Sequence, residues 1–580
     1  MNRLRRWFGL GMLMMVVVGV LWRGPQMARP QASAQAPVGH HGWQALDAAA
    51  TPDPSVPTDT VTLEPVLPVT VNLADLPAST PFDEWQHQGG IGPNEAEILP
   101  LEEWERRLAE AENLPASDNV ARVWDAAAIQ SGGILTGFAS LDFSQCCGPT
   151  GGLTPPDPVL AVGPDHVLVA VNAAFAIYNK DGASLLGPIT LSALFAGTGM
   201  GCGTNPFDPE VLYDESANRY LLTADGGGSA LCVAVSQTGN PTAGWSVYSY
   251  NTGPGFFDFP QAGIGRNELF VGANNYGAPG GVGQIYAIRK SDLYAGVGAA
   301  AVIRTINPSL GNPSPTPLHL HGFNQGTWPT SGPHHFLVSH YDSDIYTLYA
   351  WNAPFGANSL TTVATFDLTA TSGVPVGTPL VMPQKDGDDI GGRPNQGLID
   401  DRQWDLEYRN GYLWTTMHVS CNPGGGAVNC IRWAKIEPNS GSIVQSGVFG
   451  SSGVYRAYPD LMVDRFNNVA LAYARLSTTT YPGAFFTCRG TNDQPGEPWL
   501  EAAIKGGEAV YTSFTQDPPP HRWGDYMAMT IDPDGETFWA IGEYSKDITA
   551  AARWGTYVAA FTYEECPYVT SGLYLPLISR

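Results

Sequence analysis

Short apolar runs broken by Gly, Asn and Asp turns recur from Ile134 to Tyr563, and this alternation organises the chain. Near the end, Tyr526 to Ile531 is an apolar run and Asp532-Pro533-Asp534-Gly535 carries turn chemistry. Thr537 to Tyr544 resumes with residues suited to a pleated surface. Thr556 to Tyr563 then alternates, placing Tyr557, Ala559, Phe561 and Tyr563 on one face of a third strand. Three strands alone cannot bury both their faces, so this unit makes sense as one member of a series.

Six earlier segments follow the same strand–turn–strand grammar. They open at Pro156-Asp157-Pro158, Phe207-Asp208-Pro209, Phe257-Asp258-Phe259-Pro260, Leu318-His319-Leu320-His321, Arg402-Gln403-Trp404-Asp405 and Tyr458-Pro459-Asp460. Each runs into an apolar strand and turns at Gly, Asn or Asp before a second strand. Starts near 156, 207, 257, 318, 402, 458 and 523 give steps of 51, 50, 61, 84, 56 and 65 residues. A four-stranded blade needs roughly 40–50 residues, so the longer steps imply insertions. The expectation is an all-β, seven-bladed β-propeller over residues 131–566. Its last blade shows only three strands, so the unassigned run Ile134 to Phe143 is expected to supply the fourth and close the ring. A pair of β-sandwiches is the competing fold, and it predicts no single repeat across this region.

The flanks read differently. Arg3, Arg5 and Arg6 precede the apolar run Phe8 to Leu21 and the small residues Ala32-Ser33-Ala34, which marks residues 1–34 as an export signal. Residues 35–130 read as a Pro/Ala-rich linker holding one short amphipathic helix, with Leu101, Trp104 and Leu108 on one face. Residues 567–580 form an apolar tail. The net charge of −25 leaves no basic stripe for phosphates, which argues against nucleic acid. Eight cysteines fit an oxidising compartment. Cys421 and Cys430 flank a Gly-rich loop and are expected to pair, as are Cys202 and Cys232. Cys146 and Cys147 bridge each other or pair with Cys488 and Cys566.

Two motifs, Asp208-Pro209-Glu210-Val211-Leu212-Tyr213-Asp214 and Trp523-Gly524-Asp525-Tyr526 with Phe538-Trp539 and Glu543-Tyr544, resemble exported bacterial β-propeller proteins of sialidase-like shape. The resemblance covers about 150–563 and implies fold and export. It carries no shared activity and no catalytic residues. Asp534-Gly535-Glu536-Thr537-Phe538 lacks one residue of the Asp-box turn that sialidases show. The tail Tyr574-Leu575-Pro576-Leu577 resembles an ending found on exported proteins, which implies surface retention; a final edge strand is the alternative.

In a propeller the strand entries converge on one channel mouth. Asp157, Asp208, Asp258, Asp405, Asp460 and Asp525 stand at those entries. Such a circle of oxygens suits Ca²⁺, whereas the structural alternative has each Asp capping a loop. Arg393, Arg456 and Arg522 are the cations placed to grip an acidic sugar. His319 and His321 would project from one face of a strand, a two-histidine contact for a metal with no third ligand in view. The leading expectation is a secreted or cell-surface protein that binds an extracellular glycan, protein or small ligand at its top face. Glycan hydrolysis or elimination by channel-mouth carboxylates is the alternative.

Overall fold

The computed structural model describes residues 60–79, 101–125, 133–145, 153–199, 201–276, 282–306, 314–340, 344–392, 402, 405–493, 498–513, 519–548 and 553–567. The export signal, Arg393, Cys146, Cys147 and nearly all of the tail lie outside them.

The described chain is all-β, built from successive antiparallel meanders. The first contains Val159–Val162, His166–Val171, Ala174–Asn179 and Ser184–Thr190; the second begins with Pro206–Asp214 and the third with Phe256–Ile264. Thr316–Pro317 opens the fourth, Asp405–Arg409 and Tyr455–Val463 open the next two, and Ala528–Ile531 opens the last. These opening strands pack each against the next, and Ala528–Ile531 returns to pack against Val159–Val162. The result is a β-propeller with its opening strands around a common axis. Thr136–Asp142 pairs antiparallel with Trp554–Phe561 as the outer strand of the last sheet, tying the two ends of the ring together.

The blades are buried on both faces, which explains why their strands read as continuous apolar runs rather than alternating ones. Along Ala230–Ser236, Leu231, Val233 and Val235 enter one core cluster while Cys232 and Ala234 enter another. The strand period of two therefore feeds two different inter-sheet cores. Disulfides join Cys202 to Cys232, Cys421 to Cys430 and Cys488 to Cys566.

One local device recurs at the axis. Asp157, Asp208, Phe259, Ser314, Tyr458 and Gly524 all have positive φ, between 35° and 62°, and all but Gly524 precede a proline. At Asp208-Pro209, Phe259-Pro260 and Tyr458-Pro459 two residues oppose one on the neighbouring strand. These are β-bulges, where proline's missing N–H costs the ladder nothing. Holding a non-glycine residue there costs on the order of 1–3 kcal/mol, so the packing of the ring must impose it.

Two expectations need correction. The segment read as a linker supplies strands: Thr60–Val66 pairs with Ala299–Thr305, Val69–Asn72 pairs with Gly244–Asn251, and Ala121–Asp125 lies parallel between Ile443–Gly450 and Trp499–Lys505. The edge strands of open blades offer unpaired N–H and C=O groups, and the early chain satisfies them. The expected helix is present at Leu101–Glu112. The fourth unit opens earlier than its histidines imply. Thr316–Pro317 is its first strand, and His319–Leu320 leaves it to run parallel to Asp405–Arg409.

That crossover depends on close approach. A Cβ at Gly272 would stand 1.7 Å from the Pro315 carbonyl oxygen, and one at Gly263 would stand 2.4 Å from that of Leu318. Gly272→Ala is therefore expected to destabilise the protein by about 1–3 kcal/mol, read as a lower denaturant midpoint. An unchanged midpoint would contradict this packing.

Candidate functional site

The bulges put the opening strands in phase. Two residues beyond each left-handed residue stand Val159, Glu210, Gln261, Thr316, Asp460 and Tyr526, and Asp405 takes the matching place in the fifth unit. All seven line one cavity of about 570 Å³, its open mouth included. This level, not the row of aspartates read from the sequence, is the wall of the channel.

The six aspartates separate accordingly. Asp405 and Asp460 belong to the cavity wall and hydrogen-bond each other. Asp460 also accepts from the backbone N–H of Leu461 at 2.6 Å and of Met529 at 2.5 Å. Burial drives its carboxyl up to about 7. Burial, then Glu407 and Asp460, push Asp405 well above the carboxylate range. Asp157, Asp208 and Asp525 sit nearer the strand entries. Asp157 is fully buried, accepts from Asn172 Nδ2 at 2.6 Å and keeps its Oδ1 without a hydrogen bond. Burial, then Asp525 and Asp208, raise its carboxyl. Asn172 Oδ1 accepts from the Asp208 N–H at 2.6 Å, which ties the first two units together. Asp258 lies off this group, beside buried Asp225. Among the described residues, no three of these aspartates come within the 4.8 Å spread of a metal-ligand cluster. The aspartates occupy four different phases of the strand, so they do not converge as the single circle of oxygens expected for Ca²⁺.

The arginines are engaged elsewhere. Arg456 is buried against Glu501, with Nη2 2.8 Å from Oε1 and Nε 3.0 Å from Oε2, and Tyr473 donates to the same carboxylate. It holds two sheet strands together and does not reach the channel wall. Arg522 pairs with Asp525. Two of the three cations expected to grip an acidic sugar are thus already neutralised.

Deeper along the channel, parallel pairing sets His319 opposite Glu407. The His319 and His321 rings lie with centroids 4.2 Å apart and their planes tilted by 38°. His321 Nε2 lies 2.6 Å from Glu407 Oε2 without the alignment of a hydrogen bond, and His321 Nδ1 lies 3.6 Å from Glu215 Oε1. One donor atom from each of His319, His321 and Glu407 falls within 4.8 Å of the others, and all three residues are buried. His319 Nε2 has no hydrogen-bond partner. Burial holds His319 well below the usual imidazole range. Burial also opposes a charge on His321, but Glu407 and Glu215 outweigh it and hold that ring up to about 9.

No protein-family model and no curated protein matches the chain. It is similar in structure to a subtype N10 neuraminidase-like protein of A/little yellow-shouldered bat/Guatemala/060/2010, at 8% identity and TM-score 0.34, covering 62% of this chain and 100% of that one. It is similar also to a Penicillium chrysogenum α-L-arabinanase complexed with arabinobiose, at 11% identity and TM-score 0.33, covering 75% and 99%. The Hadza microbial sialidase Hz136 shows 11% identity and TM-score 0.33, covering 69% and 74%. At these scores the likeness transfers no substrate or activity.

Glu210, Glu407, Glu215, Glu543 and Tyr458 were not singled out as site residues from the sequence. Glu210 follows Asp208-Pro209 as Asp460 follows Tyr458-Pro459, so aligning on X-Pro would have found it. Glu407 becomes a partner of His319 only through pairing between neighbouring units, which leaves no local signal.

Two predictions follow from these burials. Arg456→Ala leaves Glu501 buried beside an incomplete set of partners and is expected to cost about 3–5 kcal/mol, read by denaturant unfolding. A loss under 1 kcal/mol would mean that the pair is dispensable to the fold. Burial raises Asp157, Glu210 and Glu543, so the folded chain holds those protons more tightly than the unfolded one. Stability is then lost as pH rises through the raised values. Histidines lowered by burial act in the opposite sense, but only below their unfolded value of about 6.5. The thermal midpoint should therefore fall from pH 7 to pH 9, where His321, held up to about 9 by Glu407 and Glu215, gives up the proton that the unfolded chain releases near 6.5, and the buried acids act in the same sense. A midpoint that rises over this window contradicts the assignment.

Proposed function

We propose that the chain is an exported, seven-bladed β-propeller that binds a neutral, hydroxyl-rich ligand of the carbohydrate class in its channel, without turning it over. The observation that carries this reading is the convergence of Glu210, Gln261, Thr316, Asp405, Asp460 and Tyr526 on one cavity from equivalent places in successive blades. Gln261 Nε2, buried in that wall, lacks a hydrogen-bond partner. Glutamine, threonine and tyrosine donate and the carboxylates accept, and hydroxyl groups complement both. Arg456 and Arg522 are each already paired with a carboxylate, so neither stands ready to hold the charge of an acidic sugar, which favours a neutral one. The export signal and three disulfides favour an oxidising, extracellular setting.

Glycan hydrolysis or elimination is the second reading, favoured by one observation. Glu210 and Asp460 line the same cavity, and Asp460 is held near 7, where a carboxyl can serve as acid or base at neutral pH.

Titration calorimetry against a panel of neutral and acidic oligosaccharides, with reducing ends assayed on the same samples, separates the two readings. The binding account expects a neutral saccharide to bind and no new reducing ends to appear. Gln261→Ala and Glu210→Gln should each weaken binding at least tenfold, about 1.4 kcal/mol. Turnover that Asp460→Asn abolishes while binding persists would establish the enzyme instead. Binding unchanged in all three variants would remove the channel from the account.

A further inference from the structure

We propose that His319, His321 and Glu407 form a three-ligand site for a divalent transition metal of the zinc class, whose open coordination position faces the channel cavity. This goes beyond the saccharide reading and does not depend on it.

The donor set is two imidazoles and one carboxylate, which suits zinc and its neighbours better than the all-oxygen preference of Ca²⁺ or Mg²⁺. Three protein ligands leave one tetrahedral position open, the arrangement of reactive rather than purely structural zinc. His319 and Glu407 both line the cavity, so that position is reached from the channel.

Three observations point to a ligand rather than to packing. His319 Nε2 is buried without a hydrogen-bond partner, a state that costs about 1–3 kcal/mol. His321 Nε2 and Glu407 Oε2 face each other at 2.6 Å, a buried pair of two atoms that are both of metal-binding type. Glu215 stands 3.6 Å from the other nitrogen of His321. Glu215 is itself fixed by the backbone N–H groups of Gly322 and Asn324, each at 3.3 Å. A carboxylate behind a histidine is how metal sites orient an imidazole and raise its basicity. Donors around a tetrahedral zinc ion stand about 3.4 Å apart. The three donor atoms already lie within 4.8 Å of one another, and a bound ion would bring them to that spacing.

The backbone prepares the arrangement. His319–Leu320 departs from its own blade to lie parallel to Asp405–Arg409, which is what sets His319 opposite Glu407. Gly263 admits the Leu318 carbonyl that immediately precedes the site. A loop histidine without a function would need neither feature.

The test uses the untagged, disulfide-intact chain, freed of metal by a chelator and then given Zn²⁺ or Co²⁺ alone. About one metal per chain is expected by elemental analysis, and Co²⁺ should give the intense visible absorption of a four- or five-coordinate nitrogen and oxygen site. His321→Ala and Glu407→Gln should abolish both signals, while His166→Gln, outside the cluster, should retain them. Because a buried substitution can impair folding, Glu215→Gln is the second arm. It leaves all three ligands in place and should weaken binding by about 10–100-fold. Absence of stoichiometric metal in the unmodified chain would overturn the proposal. So would binding that persists unchanged in His321→Ala and Glu215→Gln. Saccharide is absent throughout, so failure here leaves the saccharide reading standing, and success does not establish it.

Discussion

The ring depends on a single backbone constraint, the left-handed residue and bulge at the start of its opening strands. Each bulge inserts one extra residue and bends the strand as it meets the axis. Asp157, Asp208, Phe259, Ser314 and Tyr458 all adopt this strained conformation ahead of proline, and Gly524 reaches it without a side-chain penalty. Because the bend recurs at one phase, the residue two positions later reaches the channel in six of the units, and Asp405 takes the matching place in the fifth. The chemistry of the cavity is therefore set by seven positions scattered across almost four hundred residues.

Carboxyl groups crowd that axis, and their energetics explain the partners they keep. Unpaired charges at this burial would cost several kcal/mol each. Asp460 accepts two backbone N–H groups and meets Asp405, while Asp157 takes a hydrogen bond from Asn172. Arg522 attends Asp525. Much of the acidity thus serves the architecture by satisfying strand entries, as Asp does in turns. What remains for function includes Gln261 Nε2 in the cavity wall and the His319–His321–Glu407 cluster, two of whose members line the same cavity.

The architecture was legible because β-propellers repeat. Turn signals such as Asn410-Gly411 and Asp532-Pro533-Asp534-Gly535 fall where strands reverse, and the run from Ile134 does pair beside Trp554–Phe561. Phase was harder. Matching the repeats on their acidic residues placed Asp258 and Asp525 level with Asp460, whereas the X-Pro step puts Gln261 and Tyr526 there. Charge was the more visible pattern and backbone geometry the more faithful one. The linker was misread because Thr60–Val66 and Val69–Asn72 gain their strand character from the blade edges they cover, and an isolated strand has no such partner. The third metal ligand was invisible for the same reason, since Glu407 meets His319 across a blade boundary.

If one channel gathers these scattered positions into a single binding surface, a bound ligand must be felt by all of them together. Amide hydrogen exchange with and without a saturating neutral saccharide measures this directly. The account predicts slowed exchange in peptides covering 208–212, 259–263, 405–409 and 458–462 at once, with the outer strands 244–251 and 299–305 unaffected. Slowing confined to the outer strands, or to one surface loop, would contradict it.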